Sequence, residues 1–228
     1  MAQKVFFDMT ISLDGFIAPE GMEMEHFNNS DYKQWLKKWM ELQAWVFPLK
    51  YFRKNLKLEE SPLEYFQDKA KIEEDAETNA LNQSVEETFN RTGASIMGAT
   101  MFAGGEKSWP EEAPFHTNVY VLTHKVRTPW ERPGGTTFYF VNDGMESALK
   151  QAKQAAGRRD IRIAGGADVV RQYLNAGFID EFTLHYSPVF FGNGTQLFAN
   201  VNPDINTRVT KTLVSENSTH VTYEIIKK

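Results

Sequence analysis

The chain contains no cysteine. Disulfides and thiolate metal sites are therefore excluded. Basic residues are the minority, 25 against 30 acidic, for a formal charge of −5; the basic stripe expected of a nucleic-acid binder is missing. No apolar run reaches membrane-spanning length. The N-terminus, Met1-Ala2-Gln3-Lys4-Val5-Phe6-Phe7-Asp8, lacks the apolar stretch of a signal peptide, so the expectation is a soluble cytoplasmic protein with no membrane partner. The histidines, His26, His116, His124, His185 and His220, have no partner at metal-ligand spacing, and no metal site is expected. Gly104-Gly105-Glu106-Lys107-Ser108 resembles the end of a phosphate-binding P-loop, but Glu106 stands where that motif needs glycine. There is no Gly-x-Ser-x-Gly elbow of a serine hydrolase and no paired acidic motif of a glycosidase.

What the chain does have is enough apolar material for a substantial core, at 41% of 228 residues, and 13% aromatics. Its most informative stretch is Asp160 to Leu174. Ile161 and Ile163 alternate with Asp160 and Arg162, the period of a half-buried strand. Gly165 and Gly166 follow, and Val169, Val170, Tyr173, Leu174 and Phe178 then recur at helical spacing, with Gly177 as a stop. Glycines at a strand-to-helix joint let a ligand approach the backbone. The N–H groups and dipole of the helix favour an anion there, a phosphate or pyrophosphate above all. The same residues also suit a tight turn with no ligand.

Further strands are expected at Lys4 to Ser12, Ala94 to Met97, Asn118 to Leu122, Thr136 to Val141 and Glu181 to Tyr186, and a helix at Gly144 to Ala156. Val209, Lys211 and Leu213 alternate on one arm of a closing hairpin and Val221, Tyr223 and Ile225 on the other. Asp14-Gly15 and Asn193-Gly194 mark turns. This order implies an α/β fold: a mixed, mostly parallel sheet with helices on both faces and an antiparallel hairpin at the end.

Between the first two of these strands lies a helical stretch. Ser30 or Asp31 caps a helix bearing Tyr32, Trp35, Leu36, Trp39, Leu42 and Val46 on one face, with Pro48 as its stop. A second start is expected at Ser61-Pro62-Leu63-Glu64. From Glu59 to Glu87 ten acidic residues face two basic ones, a net −8; such a run reads first as a solvated helical face.

Taken together, the motifs resemble those of the dihydrofolate reductase-like family. The likeness is closest to the reductase domain of the bifunctional riboflavin-pathway deaminase-reductases, here in a stand-alone form. The resemblance rests on Thr10-Ile11-Ser12-Leu13-Asp14-Gly15-Phe16-Ile17-Ala18, Ala94-Ser95-Ile96-Met97-Gly98, Val119-Tyr120-Val121-Leu122-Thr123 and Ile163-Ala164-Gly165-Gly166. It rests most on the succession Leu174 to Glu181, Ser187 to Gly194 and Leu197-Phe198. It implies one reductase domain over residues 1–228, with a helical insertion at about 22–91. It also implies NADPH, or NADH, as the cofactor. Gly98, Ala99 and Thr100 would meet the cofactor at a helix start, Thr123 and His124 near the adenosine phosphate, and Ala164, Gly165, Gly166, Ala167, Asp168 and Val169 along the pyrophosphate. Asp14, Phe16 and Trp35 are candidates for the substrate side, and Asp14, Glu25 or Asp31 for a proton donor; no catalytic residue is assigned. Relatives carry a basic residue directly after Gly98 and an Asp-x-Pro pattern downstream, and this chain has Ala99 and Gly104 to Glu111 there.

The expected activity is hydride transfer to a C=N or C=O of a small pterin-, pyrimidine- or ribosylamine-like substrate, by a homodimer. A non-catalytic nucleotide-binding protein, or an assembly protein using the tryptophan-rich helix, is the alternative on the same fold. The long 22–91 segment is expected to wall the substrate side of the groove or to project away from it.

Overall fold

A computed structural model of the chain describes residues 2–21, 30–58 and 76–227, apart from the side chains of 30–33, 76 and 77. The elements in chain order are β1 (Val5–Ser12), β2 (Phe16–Pro19), α1 (Ser30–Leu42), α2 (Lys50–Asn55), α3 (Ala76–Arg91), β3 (Thr92–Gly98), α4 (Ala99–Ser108), β4 (Asn118–Leu122), β5 (Trp130–Arg132), β6 (Thr136–Val141), α5 (Met145–Ala156), β7 (Asp160–Gly165), α6 (Ala167–Asn175), β8 (Glu181–Ser187), β9 (Gly194–Gln196), β10 (Thr207–Ser215) and β11 (Ser218–Ile225). Nine strands form one sheet in the order β10-β11-β8-β1-β7-β3-β4-β6-β5. The strands from β8 through β6 run parallel. The β10–β11 hairpin and the short β5 add antiparallel edges. This is the mixed, mostly parallel sheet that the alternating pattern implied.

β1 shows why the sheet needs cover on both faces. Val5, Phe7 and Ile11 point into a core shared with Ile161 and Ile163 of β7 and with α5 and α6. Thr10 and Ser12 are equally buried on the opposite face. That second face carries α4, whose Phe102 packs with Met97, Val121 and Phe138. A third cluster, Met40, Trp45, Val46, Phe47, Leu49, Leu58 and Leu81, joins the 40–58 stretch to α3 and to Leu213 of the hairpin.

One expectation needs correcting. α1 ends at Leu42 rather than near Pro48, and residues 43–48 form turns. Tertiary contacts end it early: the Trp45 indole N–H donates to Thr10 Oγ1 at 3.0 Å, and its ring lies 4.3 Å from that of His185. The Gly104–Ser108 stretch forms the last turns of α4, in line with the rejection of a P-loop there. The expected start at Ser61-Pro62 lies outside the described residues, as do Glu25 and the side chain of Asp31. Among the described residues, no helix is long and apolar enough to cross a membrane.

Candidate active site

The site is built where two parallel neighbours end together. In the β3–β7 register Met97 pairs with Gly165, so both strands finish at the same level. Each then passes through glycine straight into a helix: Gly98 is the N-cap of α4 and Gly166 the N-cap of α6. A glycine N-cap has no side-chain oxygen to offer, so the first N–H groups of both helices remain available to an anion. The two starts are close. A Cβ on Gly98 would lie 3.1 Å from Val169 Cγ2 and 3.9 Å from the Gly166 nitrogen. Gly165 has φ +133, a conformation that side chains disfavour, and the Gly165–Gly166 peptide is cis. A Cβ on Gly166 would meet nothing within 4 Å. The protein leaves open, at that point, the space a ligand needs to reach the backbone.

Each residue read from the sequence can now be located. Ala99 and Thr100 open α4, and Ala167, Asp168 and Val169 open α6, with Ala164 and Gly165 closing β7. Asp168 is bound by the Arg171 guanidinium, which also donates to the Gln196 carbonyl at 2.6 Å. The helix start is thus not left with a bare carboxylate. Thr123 follows β4, the strand beside β3; its N–H donates to the Val141 carbonyl at 3.1 Å, and its Oγ1 accepts the Lys125 N–H at 3.1 Å. His124 is exposed next to it.

The substrate-side candidates divide. Asp14 clamps a loop. Its carboxylate accepts the Ser12 hydroxyl at 2.6 Å, the Gly192 N–H at 2.6 Å and the Phe191 N–H at 3.1 Å. Burial pushes its pKa up, but the Ser12 hydroxyl and the Gly192 and Phe191 N–H groups outweigh that, and the net shift is downward. An acid held ionised in this way makes a poor proton donor at neutral pH. Phe16 is 8% exposed and serves the core. Trp35 packs against the backbone of Gly21, where an added Cβ would lie 2.5 Å from the ring. Asp14 thus places polar chemistry near the carboxyl end of β1.

Sequence reasoning missed the polar group that fixes the 40–58 stretch here. Thr10 Oγ1 accepts the Trp45 indole N–H and donates to Gln43 Oε1 at 2.9 Å. The indole can only donate, so the direction of this chain of bonds is set. Met9, the residue before Thr10, reaches to 3.5 Å from the position a Gly165 Cβ would occupy. Through Thr10, Gln43 and Trp45 are anchored to β1 on the face opposite Val5, Phe7 and Ile11, beside β8. No motif could have shown this, because the pair 10–43 is made by folding alone.

The sequence profile of the RibD C-terminal domain matches residues 3–221. The uncharacterized protein YyaP of Bacillus subtilis (strain 168) is 36% identical over 73 residues, 32% of this chain and 38% of that protein. The match thus spans well under half of that relative. The crystal structure of a putative riboflavin biosynthesis protein from Shewanella sp. PV-4 superposes over the full length of both chains with a TM-score of 0.57 at 19% identity. Dihydrofolate reductase from Enterococcus faecalis, complexed with NADP(H), superposes over 98% of this chain and 97% of its own with a TM-score of 0.51 at 14% identity. These likenesses establish a dihydrofolate reductase-like fold, and the match over nearly the whole sequence shows that the chain belongs to the RibD C-terminal domain family.

Proposed function

We propose that this protein is an NADPH-dependent reductase of small heterocyclic substrates. The observation that carries the reading is the pair of glycine-capped helix starts, α4 and α6, opening side by side at the carboxyl ends of β3 and β7. Ligands of open α/β sheets bind beyond such strand ends. The open space over Gly166 fits a dinucleotide phosphate. The N–H groups of Ala167, Asp168 and Val169 would hold the pyrophosphate, Gly98, Ala99 and Thr100 would line the opposite helix start, and Thr123 and His124 would take the adenosine phosphate. No basic residue directly follows Gly98, so Lys125, beside His124, is the cation that would favour NADPH over NADH.

Bound NADPH supplies a hydride. The chain binds, orients and excludes water; good orientation of donor and acceptor contributes on the order of 7–11 kcal/mol. Asp14, Phe16 and Trp35 belong to the substrate side in this reading, Asp14 by fixing loop 190–192 rather than by giving a proton. The 22–91 segment is an insertion within a single reductase domain. In this reading it walls the substrate side of the groove. The substrate is a pterin-, pyrimidine- or ribosylamine-like C=N or C=O compound. The proposal includes a cytoplasmic homodimer; Val209 and Val214, exposed on the outer strand β10, offer apolar surface for a second copy.

The test is direct. Purified protein should bind NADPH, read as enhanced nicotinamide fluorescence, and oxidise it with at least one member of a panel of pterins, pyrimidines and imines. Binding without oxidation by any of them would favour the non-catalytic alternative. No binding at millimolar NADPH would remove the proposal altogether.

A further inference from the structure

Beneath Trp45 two histidines from different strands meet. His185 of β8 and His220 of β11 are cross-strand neighbours, and their Nδ1 atoms stand 2.7 Å apart. His220 Nε2 lies 2.7 Å from the Ser218 hydroxyl, itself 2.9 Å from that of Ser215. Both imidazoles are nearly closed off from solvent, at 9% and 4% exposure. Trp45 covers them, 4.3 Å from the His185 ring and 4.6 Å from that of His220. Beside them the Ser187 hydroxyl donates to the Leu42 carbonyl at 2.6 Å. The pair is therefore the floor on which the turn after α1 rests.

We infer that the His185–His220 pair is an acid-released latch, which holds residues 43–58 against the sheet while both imidazoles are neutral and lets that stretch go when they are protonated. This goes beyond the reductase reading and does not depend on it. The chemistry follows from the donor count. An Nδ1–Nδ1 hydrogen bond needs one N–H and one bare nitrogen. One added proton still leaves that arrangement possible; a second puts two N–H groups face to face at 2.7 Å, and the rings must part.

Among the described residues, no unengaged carboxylate faces the new charge. Asp8, the carboxylate facing His185 from β1, is already bound by Arg162 of β7 at 2.7 Å, and that guanidinium opposes an imidazolium. Lys211 of β10 and Glu87 of α3 lie 3.8 Å from each other and pair across those two elements. The overlying turn contributes Gln43 and Trp45, which carry none. Burial accordingly lowers both groups, His185 to about 3, helped by His220 and Arg162 and opposed by Asp8, and His220 to about 4.

The sign follows from linkage. A group with a lower pKa when docked takes its proton preferentially when released, so acid favours release. The latch is intact above the free-histidine value of 6.5 and weakens as pH falls toward 4. With two protons taken up on release, the docked fraction falls by up to about a hundredfold per pH unit in that window.

Hydrogen exchange by mass spectrometry on the intact protein, corrected for intrinsic chemistry, tests this between about pH 7.5 and pH 4. Peptides covering 43–58 should lose protection steeply below about pH 6, while β1, β3 and β7 keep theirs and the change reverses on neutralisation. In a His185→Phe/His220→Leu double variant the loss should no longer depend on pH. Should that variant misfold, imidazole NMR on the parent decides: both rings should stay neutral until 43–58 opens. Protection of 43–58 that survives with both rings protonated, or that disappears only together with β1 and β7, overturns the latch.

Discussion

Gly166 is the residue at which the cofactor reading is most exposed to test. Its φ is −77 and a Cβ there would meet no protein atom within 4 Å, so a side chain intrudes only on the space beyond the protein. Gly166→Val should weaken NADPH binding by at least about tenfold, roughly 1.4 kcal/mol, with little change in melting temperature. Binding equal to that of the parent, measured by fluorescence titration, would move the phosphate elsewhere. Asp14 makes the contrasting case. Asp14→Asn leaves one acceptor for three donors and removes the charge, and should cost about 1–2 kcal/mol in denaturant unfolding. Because its folded pKa is lowered from 3.8, the contribution is present above that value and is lost as pH falls below it. Activity at neutral pH should survive the change far better than loss of a proton donor would allow.

Among the elements, the 40–58 stretch has the most to lose from one substitution. Trp45→Ala removes a ring that is 9% exposed and joins Thr10, His185 and His220. It should destabilise the protein by about 3–5 kcal/mol in chemical denaturation. At the opposite end of the sheet Arg91 ties α3 to two strands, with Asp160 at 2.7 Å and Glu181 at 2.6 Å. Burial works against the charge on Glu181, but bonds from Lys4 and Arg91 outweigh it and hold its pKa below 4.5. Arg91→Met should therefore cost about 1–3 kcal/mol at neutral pH, and less as acid protonates Glu181 in both proteins.

These two places also show what a sequence can and cannot disclose. β3, β4, β6, β7 and β8 were legible because each is an apolar run long enough to show its period between glycine, proline or polar breaks. β2, β5 and β9 have three or four residues, too few for any period. The glycine pair was legible because its function lies in its own backbone. Thr10–Gln43 and His185–His220, 33 and 35 residues apart, exist only through register and packing, which no spacing rule encodes.

At the scale of the whole molecule, the outer strand β10 leaves Val209 and Val214 at 56% and 68% exposure. The homodimer proposal expects a sedimentation mass of twice 26.1 kDa at micromolar protein; a single-chain mass would end it. The position of β1 has a different kind of consequence. It is the first strand of the chain, yet it lies inside the sheet, with Val5 against Ile161 and Phe6 against Glu181. Its partners are made more than 150 residues later, so both of its pairings are distant in sequence. Such topologies pay loop-closure entropy before any long-range contact rewards it, and they fold slowly. During synthesis β1 emerges with nothing to pair with and waits until β7 and β8 have left the ribosome. Refolding should accordingly take on the order of milliseconds to seconds or longer. A chain stopped after α5 should show no cooperative unfolding and should expose the apolar face of β1 to chaperones and to other chains.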